Sequence, residues 1–110
     1  FIICDEFAGG SNSLLRADGG DGFAGGGGDG GGGGGGRIAV WHGVPVGERQ
    51  RINDGNMRNV IATNSWKYYQ GMTSVAGGLA GGARLGATDG GPGTVVFLTL
   101  YRAGTVMNVR

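Results

Sequence analysis

Apolar residues fall in short blocks separated by glycine and polar turn residues, and no block keeps the spacing of an amphipathic helix. Residues 1–4 (Phe-Ile-Ile-Cys) predict a short buried strand. Residues 14–17 predict a second, stopped by Asp18, Gly19, Gly20, Asp21 and Gly22. Arg37 to Trp41 predict a third, ending at His42 and Gly43. Val44, Pro45 and Val46 read as an extended piece. The Asp54-Gly55 pair suits a type I′ turn, so residues 51–58 are expected as a hairpin. A further strand is expected at 59–63, the strongest at 94–101 and a last one at 105–109. The expected fold is all-β, a glycine-rich β-sandwich or β-solenoid with packed polyglycine segments and little or no helix, forming a single domain over residues 1–110.

Glycine sets the second expectation. In residues 25–36 every position but Asp29 is glycine. Each glycine loses more backbone freedom on folding than any other residue, so such a run is either a mobile loop or tightly packed. Flexible linkers mix serine with glycine. This run has no serine, threonine or proline, and an apolar strand begins at its end. It is therefore expected to be ordered, as a polyproline-II-like segment about 37 Å long lying backbone against backbone. Collagen is excluded, because the G-X-Y period and abundant proline are absent. Glycine returns at 76–83 and 89–93. Residues 18–22 and 89–93 share the pattern D-G-G-x-G, each after a short apolar piece. Strand, glycine turn and strand at intervals of roughly 20–25 residues is the grammar of a β-solenoid.

Composition narrows the function. A chain of 110 residues with 29 glycines has few side chains with which to fill a core, so burial between copies is an expected supplement. The net charge of +1 is too near zero to imply nucleic acid or an acidic membrane as partner. Charge is uneven, at −4 over residues 1–36, +3 over 37–70 and +2 over 71–110, which favours unlike ends meeting. Cys4 is the single cysteine and carries no compartment signal. No apolar run reaches the ~18 residues of a membrane span. The chain opens on Phe1 rather than methionine, which points to a processed product or a fragment of something longer.

The segment LRADGGDG, then GGGGGGGRIAVW, then DGGPGTVVFL resembles glycine-rich modules of large bacterial surface proteins of the planctomycete-like kind. The resemblance covers residues 14–41 and 84–98. It implies β-helix or stalk-like architecture and an extracellular, structural or adhesive role, and it brings no catalytic residues.

Other constellations are weaker. A phosphate loop needs Gly-Lys-Ser/Thr opening a helix, whereas Arg37-Ile38 and a strand follow these glycines. A dinucleotide fingerprint fails for the same reason. Asp18, Asp21, Asp29 and Asp89 sit among glycines, as in calcium-binding nonapeptide repeats, but Ala24 stands where the ligand aspartate belongs. They are expected as turn residues bonding their own backbone. Cys4 and His42 lack an orienting third group at a recognisable spacing, so they are expected as a small buried thiol and a strand-end imidazole. Trp66, Lys67, Tyr68 and Tyr69 form an aromatic cluster placed to stack on sugar rings or to close a small core or subunit interface.

The sequence therefore reads as a non-enzymatic structural subunit, extracellular or on the cell surface, that assembles with copies of itself into a filament or layer. The alternative is an adhesive module, a surface stalk or phage-fibre tip, that recognises a glycan through Trp66, Lys67, Tyr68 and Tyr69. No catalytic residue, cofactor or metal is expected.

Overall fold

The structure, a computed structural model, describes residues 1–56 and 59–100. The strand expected at 105–109 lies outside them. Strand is the main regular structure and helix is scarce. In chain order the elements are β1 (Ile2–Ile3), β2 (Leu14–Arg16), β3 (Ala24–Gly25), β4 (Gly28–Asp29), β5 (Arg37–Trp41), α1 (Arg49–Asn53), β6 (Val60–Thr63), β7 (Met72–Ser74) and β8 (Thr94–Leu100). No helix is long and apolar enough to cross a membrane. The described residues group into two compact units, 1–11, 39–56, 59–70 and 96–100 in one, 12–38 and 71–95 in the other.

The first unit is built on a four-stranded sheet in the order β1-β5-β8-β6. β1 runs parallel to β5, with Ile2 opposite Val40 and Ile3 opposite Trp41. β6 runs antiparallel to β8, from Val60 opposite Leu100 to Thr63 opposite Phe97. Val40, Val44 and Phe97 are almost wholly buried, with Ala39 and Ile52 beside them in the core set. Of the hairpin expected at 51–58, residues 51–56 are described and depart from it, and residues 57 and 58 lie outside the described residues. Arg49–Asn53 forms a short helix, and Asp54-Gly55 closes it instead of turning a ladder. Gly55 has φ +73°, its N–H donates to the Ile52 carbonyl, and the Asn56 N–H donates to Arg51. That pair of bonds is a Schellman cap. A positive φ suits glycine in either setting, which is why the dipeptide alone misled.

The second unit is held by backbone packed on backbone. β2 and β7 form a parallel ladder, Leu14 opposite Met72 through Arg16 opposite Ser74. β3 and β4 form a tight hairpin in which Gly28 takes φ +147°. Four glycine-rich segments, 17–23, 30–36, 74–81 and 88–93, then bond to one another at steps of three residues. Gly30, Gly33 and Gly36 donate to Phe23, Gly20 and Ala17 at 2.7–2.8 Å, so the first two segments are antiparallel. Gly19 and Gly22 donate to Ala76 and Leu79, placing the first and third segments parallel. Gly32 and Gly35 donate to Thr88 and Gly91, linking the second and fourth. Gly78 and Gly81 donate to Gly33 and Gly30, and Gly90 and Gly93 donate to Gly78 and Val75. The second and third segments thus each touch all three others.

A step of three is the repeat of the polyproline-II helix, which has three residues per turn and no internal hydrogen bonds. Its backbone groups are all free to bond sideways, and here they do. The same period governs packing. A Cβ placed on Gly19 or Gly22, Gly32 or Gly35, Gly78 or Gly81, and Gly90 or Gly93 would overlap a neighbouring backbone. Each of those pairs is spaced by three. Gly20 and Gly91, between them, have nothing within 4 Å of such a carbon. None of these ten glycines has a positive φ, so at the eight blocked positions it is close approach that demands the missing side chain, as it also does at Gly77, which lies outside the step of three.

The aspartates are not local turn residues. Asp18 Oδ1 accepts from the Ala76 N–H at 2.8 Å and from the Ser74 hydroxyl. Asp21 Oδ1 accepts from Leu79, Asp89 Oδ1 from Ala80 and Asp29 Oδ2 from Arg84, at 2.7–2.9 Å. Their carboxylates are spent on backbone donors of the third segment and the turn after it.

Candidate functional site

The site lies wholly within the first unit. β5 ends at Trp41, and His42 still belongs to the sheet, its N–H donating to Leu98 at 2.9 Å. Gly43 turns the chain with φ +66°. Its N–H donates to Asp5 and the next one, from Val44, to Cys4, so residues 41–44 wrap the segment that follows β1. Across from them, residues 66–70 form a turn in which the Tyr69 N–H donates to Trp66. That turn is tied to residues 7–9 by Gly9 donating to Tyr68, Gln70 donating to Gly9, and the Trp66 indole Nε1 donating to the Phe7 carbonyl at 2.9 Å.

These ties bring the aromatic rings together. The His42 imidazole stacks on the Trp66 indole with centroids 3.9 Å apart and planes 23° from parallel. Tyr68 meets Trp66 edge-on at 5.2 Å, a geometry that aims a positive ring edge at a negative ring face. Behind them Phe7, Tyr69 and Phe97 form a triangle with centroids 5.3–6.2 Å apart. The result is an open pocket of about 520 Å³, walled by Phe7, His42, Trp66 and Tyr68 and completed by Asp5, Glu6, Ala8, Gly43 and Thr99. That volume is within the range of small-ligand sites, and mostly apolar walls with a few polar groups are their usual make-up.

Electrostatics divides the lining. Burial lowers the pKa of His42, which is 5% exposed, so the imidazole is neutral at pH 7. Asp5 and Glu6 are exposed, and among the described residues the lining contains no lysine or arginine. Burial pushes the Cys4 thiol up from its ordinary value, against a smaller opposite effect of Arg49. Its sulfur donates to the Trp41 carbonyl at 3.5 Å. A raised thiol held by a carbonyl is a poor nucleophile. Among the described residues, no three His, Cys, Asp or Glu side chains converge in a way that could hold a metal ion.

Of the four residues singled out in the sequence, the structure divides the roles. Trp66 and Tyr68 line the pocket. Lys67 places its ammonium 4.9 Å from the centroid of the Tyr68 ring. Tyr69 turns inward to the Phe7–Phe97 cluster. Sequence reasoning missed Asp5, Glu6, Phe7 and Thr99, and gave His42 no partner. These residues meet Trp66 only through chain reversals tens of residues apart, and no spacing in the sequence signals that. No protein-family model, curated protein or solved structure matches the chain.

Proposed function

We propose that the chain is a carbohydrate-binding module of an extracellular or cell-surface protein, with the aromatic pocket as its binding site. The observation that carries this is the wall made by Trp66 and Tyr68. Tyr68 is 57% exposed, so its ring is presented to solvent and not consumed by the core. Aromatic faces offer sugar rings a large apolar contact, and carboxylates and a hydroxyl at Asp5, Glu6 and Thr99 suit sugar hydroxyls. The layered glycine segments favour a sandwich-like body over a solenoid, because neighbouring segments run in both directions. Screening purified protein on a glycan array tests the reading. Binding lost in Tyr68→Ala at unchanged melting temperature supports it. The absence of any glycan ligand, or full binding by that variant, refutes it.

A second reading, assembly of copies into a filament, draws on β6. All four of its residues are exposed, Val60 and Ile61 among them, and among the described residues it pairs with β8 alone. An exposed strand edge of that kind invites a strand from another copy. β1 is the opposite edge of the same sheet, paired among the described residues to β5 alone, but its two residues offer a shorter edge than the four of β6. Negative-stain images and sedimentation across concentration decide the matter. A monomer at every concentration, with a full cooperative melt, excludes assembly.

A further inference from the structure

Resting on the carbohydrate reading, we infer that the pocket selects a sugar carrying a protonated amine, an amino sugar with a free ammonium group, over its N-acetylated or hydroxylated counterpart. Charge comes first. Among the described residues the lining holds two acidic side chains, Asp5 and Glu6, and no lysine or arginine, while burial disfavours the charged form of His42. A sugar hydroxyl donates to a carboxylate through a bond in which only the acceptor is charged, whereas an ammonium pairs charge with charge and adds Coulomb attraction to the hydrogen bond.

The rings give the second, independent argument. Indole and phenol faces attract cations through their negative quadrupole, and Trp is the strongest of them. The chain already makes this contact with one of its own groups. The Lys67 ammonium lies over the Tyr68 ring at 4.9 Å from the centroid, while Lys67 itself stays outside the lining. The Tyr68 ring is therefore placed and exposed so that an ammonium reaches its face. With His42 stacked on Trp66, a ligand amine entering the pocket competes with Lys67 for the exposed Tyr68 ring, and the acidic Asp5 and Glu6 of the lining favour it. An N-acetyl group removes the charge and adds a bulky amide, so both sources of attraction vanish together.

The test is calorimetric titration of the whole chain with three matched tetramers, of glucosamine, N-acetylglucosamine and glucose, at about pH 6, below the ordinary range of an amine. The glucosamine tetramer is expected to bind at least about tenfold more tightly than either neutral one, a preference that shrinks as salt is added. The double variant Asp5→Asn, Glu6→Gln is expected to cut that preference severalfold, leaving the share that the rings supply, with melting unchanged because both side chains are exposed. Equal or tighter binding of a neutral tetramer overturns the amine inference and leaves the carbohydrate reading standing. A preference undiminished in the double variant also overturns it. Failure of all three tetramers, together with a silent glycan array, overturns the carbohydrate reading itself.

Discussion

Replacing Gly32 by alanine tests the packing of the glycine unit more sharply than any other single change. The new Cβ would lie 2.9 Å from the Gly90 nitrogen and closer still to the Gly78 carbonyl. Both obstacles are backbone, so no side chain can swing away. Relieving the overlap means moving the third segment by about 1 Å, enough to carry a 2.8 Å hydrogen bond past its useful length. The bonds at risk are Gly90 to Gly78, at 2.8 Å, and Gly78 to Gly33, at 2.7 Å. Two lost backbone bonds cost about 2 kcal/mol, and residual crowding adds about 1–3 kcal/mol. Reduced freedom of the unfolded chain returns about 0.4–1 kcal/mol. The net loss is about 2–5 kcal/mol, a fall in melting temperature of roughly 10–40 °C for a chain of this size. Gly20→Ala and Gly91→Ala supply the control. Neither Cβ meets anything within 4 Å and neither glycine has a positive φ, so only the unfolded-state term remains and both variants gain about 0.4–1 kcal/mol. Gly33→Ala falls between, its Cβ 3.3 Å from the Gly20 nitrogen. Calorimetric melting of the four variants decides it. If Gly32→Ala melts within a few degrees of Gly20→Ala, the period-three packing is wrong.

Burial holds the His42 pKa below its ordinary 6.5, so the unfolded chain takes up the proton first. Stability is complete above about pH 6.5 and falls as pH drops towards the folded value; melting between about pH 7 and pH 5 should show this slope, flattened in His42→Phe. The Ser74 hydroxyl, and after it Arg16, hold Asp18 below its ordinary 3.8. Its contribution is present above that value and is lost as pH falls through the folded one, so acid melting of Asp18→Asn should lack that part of the decline. A chelator should leave the melting temperature unchanged, because each glycine-segment carboxylate already accepts from a backbone N–H; a large drop on chelation would show that a cation shares them.

Strands were legible where apolar residues cluster. Arg37–Trp41 matches its expected bounds, and Thr94–Leu100 and Val60–Thr63 match theirs to within a residue. β7 was missed because Met72, Thr73 and Ser74 form no apolar block, and the strand exists through its pairing with β2. The order of the glycine run could be anticipated from its composition, but its three-residue period could not be seen in a string where nearly every position is the same. The period emerges from which N–H groups find acceptors and which Cβ positions are blocked. The pocket was half legible. Neighbouring Trp66 and Tyr68 announced themselves, while His42 and the 5–8 segment reach them only through the fold.

A bundle of glycine helices faces a difficulty that ordinary cores do not. With no side chains to interlock, a segment could slide three residues along its neighbour and recover the same backbone bonds. The aspartates remove that freedom. Asp18 accepts from the Ala76 N–H while the next residue, Gly19, donates to the Ala76 carbonyl. Asp21 and Gly22 do the same to Leu79. Each Asp-Gly pair thus grips both backbone groups of one residue on the third segment, and the two grips are three residues apart on both segments. Gly19 and Gly22 allow the close approach, and the preceding carboxylates set the register. A three-residue slip would offer these grips other backbone groups, but Asp18 would lose the Ser74 hydroxyl, and Gly71 and Gly77, three residues to either side, have none to give. The bond between Asp18 and Ser74 therefore fixes the register that the backbone grips repeat. This is why aspartate recurs at that spacing in a stretch otherwise given over to glycine, and why the charges of Asp18 and Asp21 are better explained by alignment of the chain's own backbone than by attraction to another molecule.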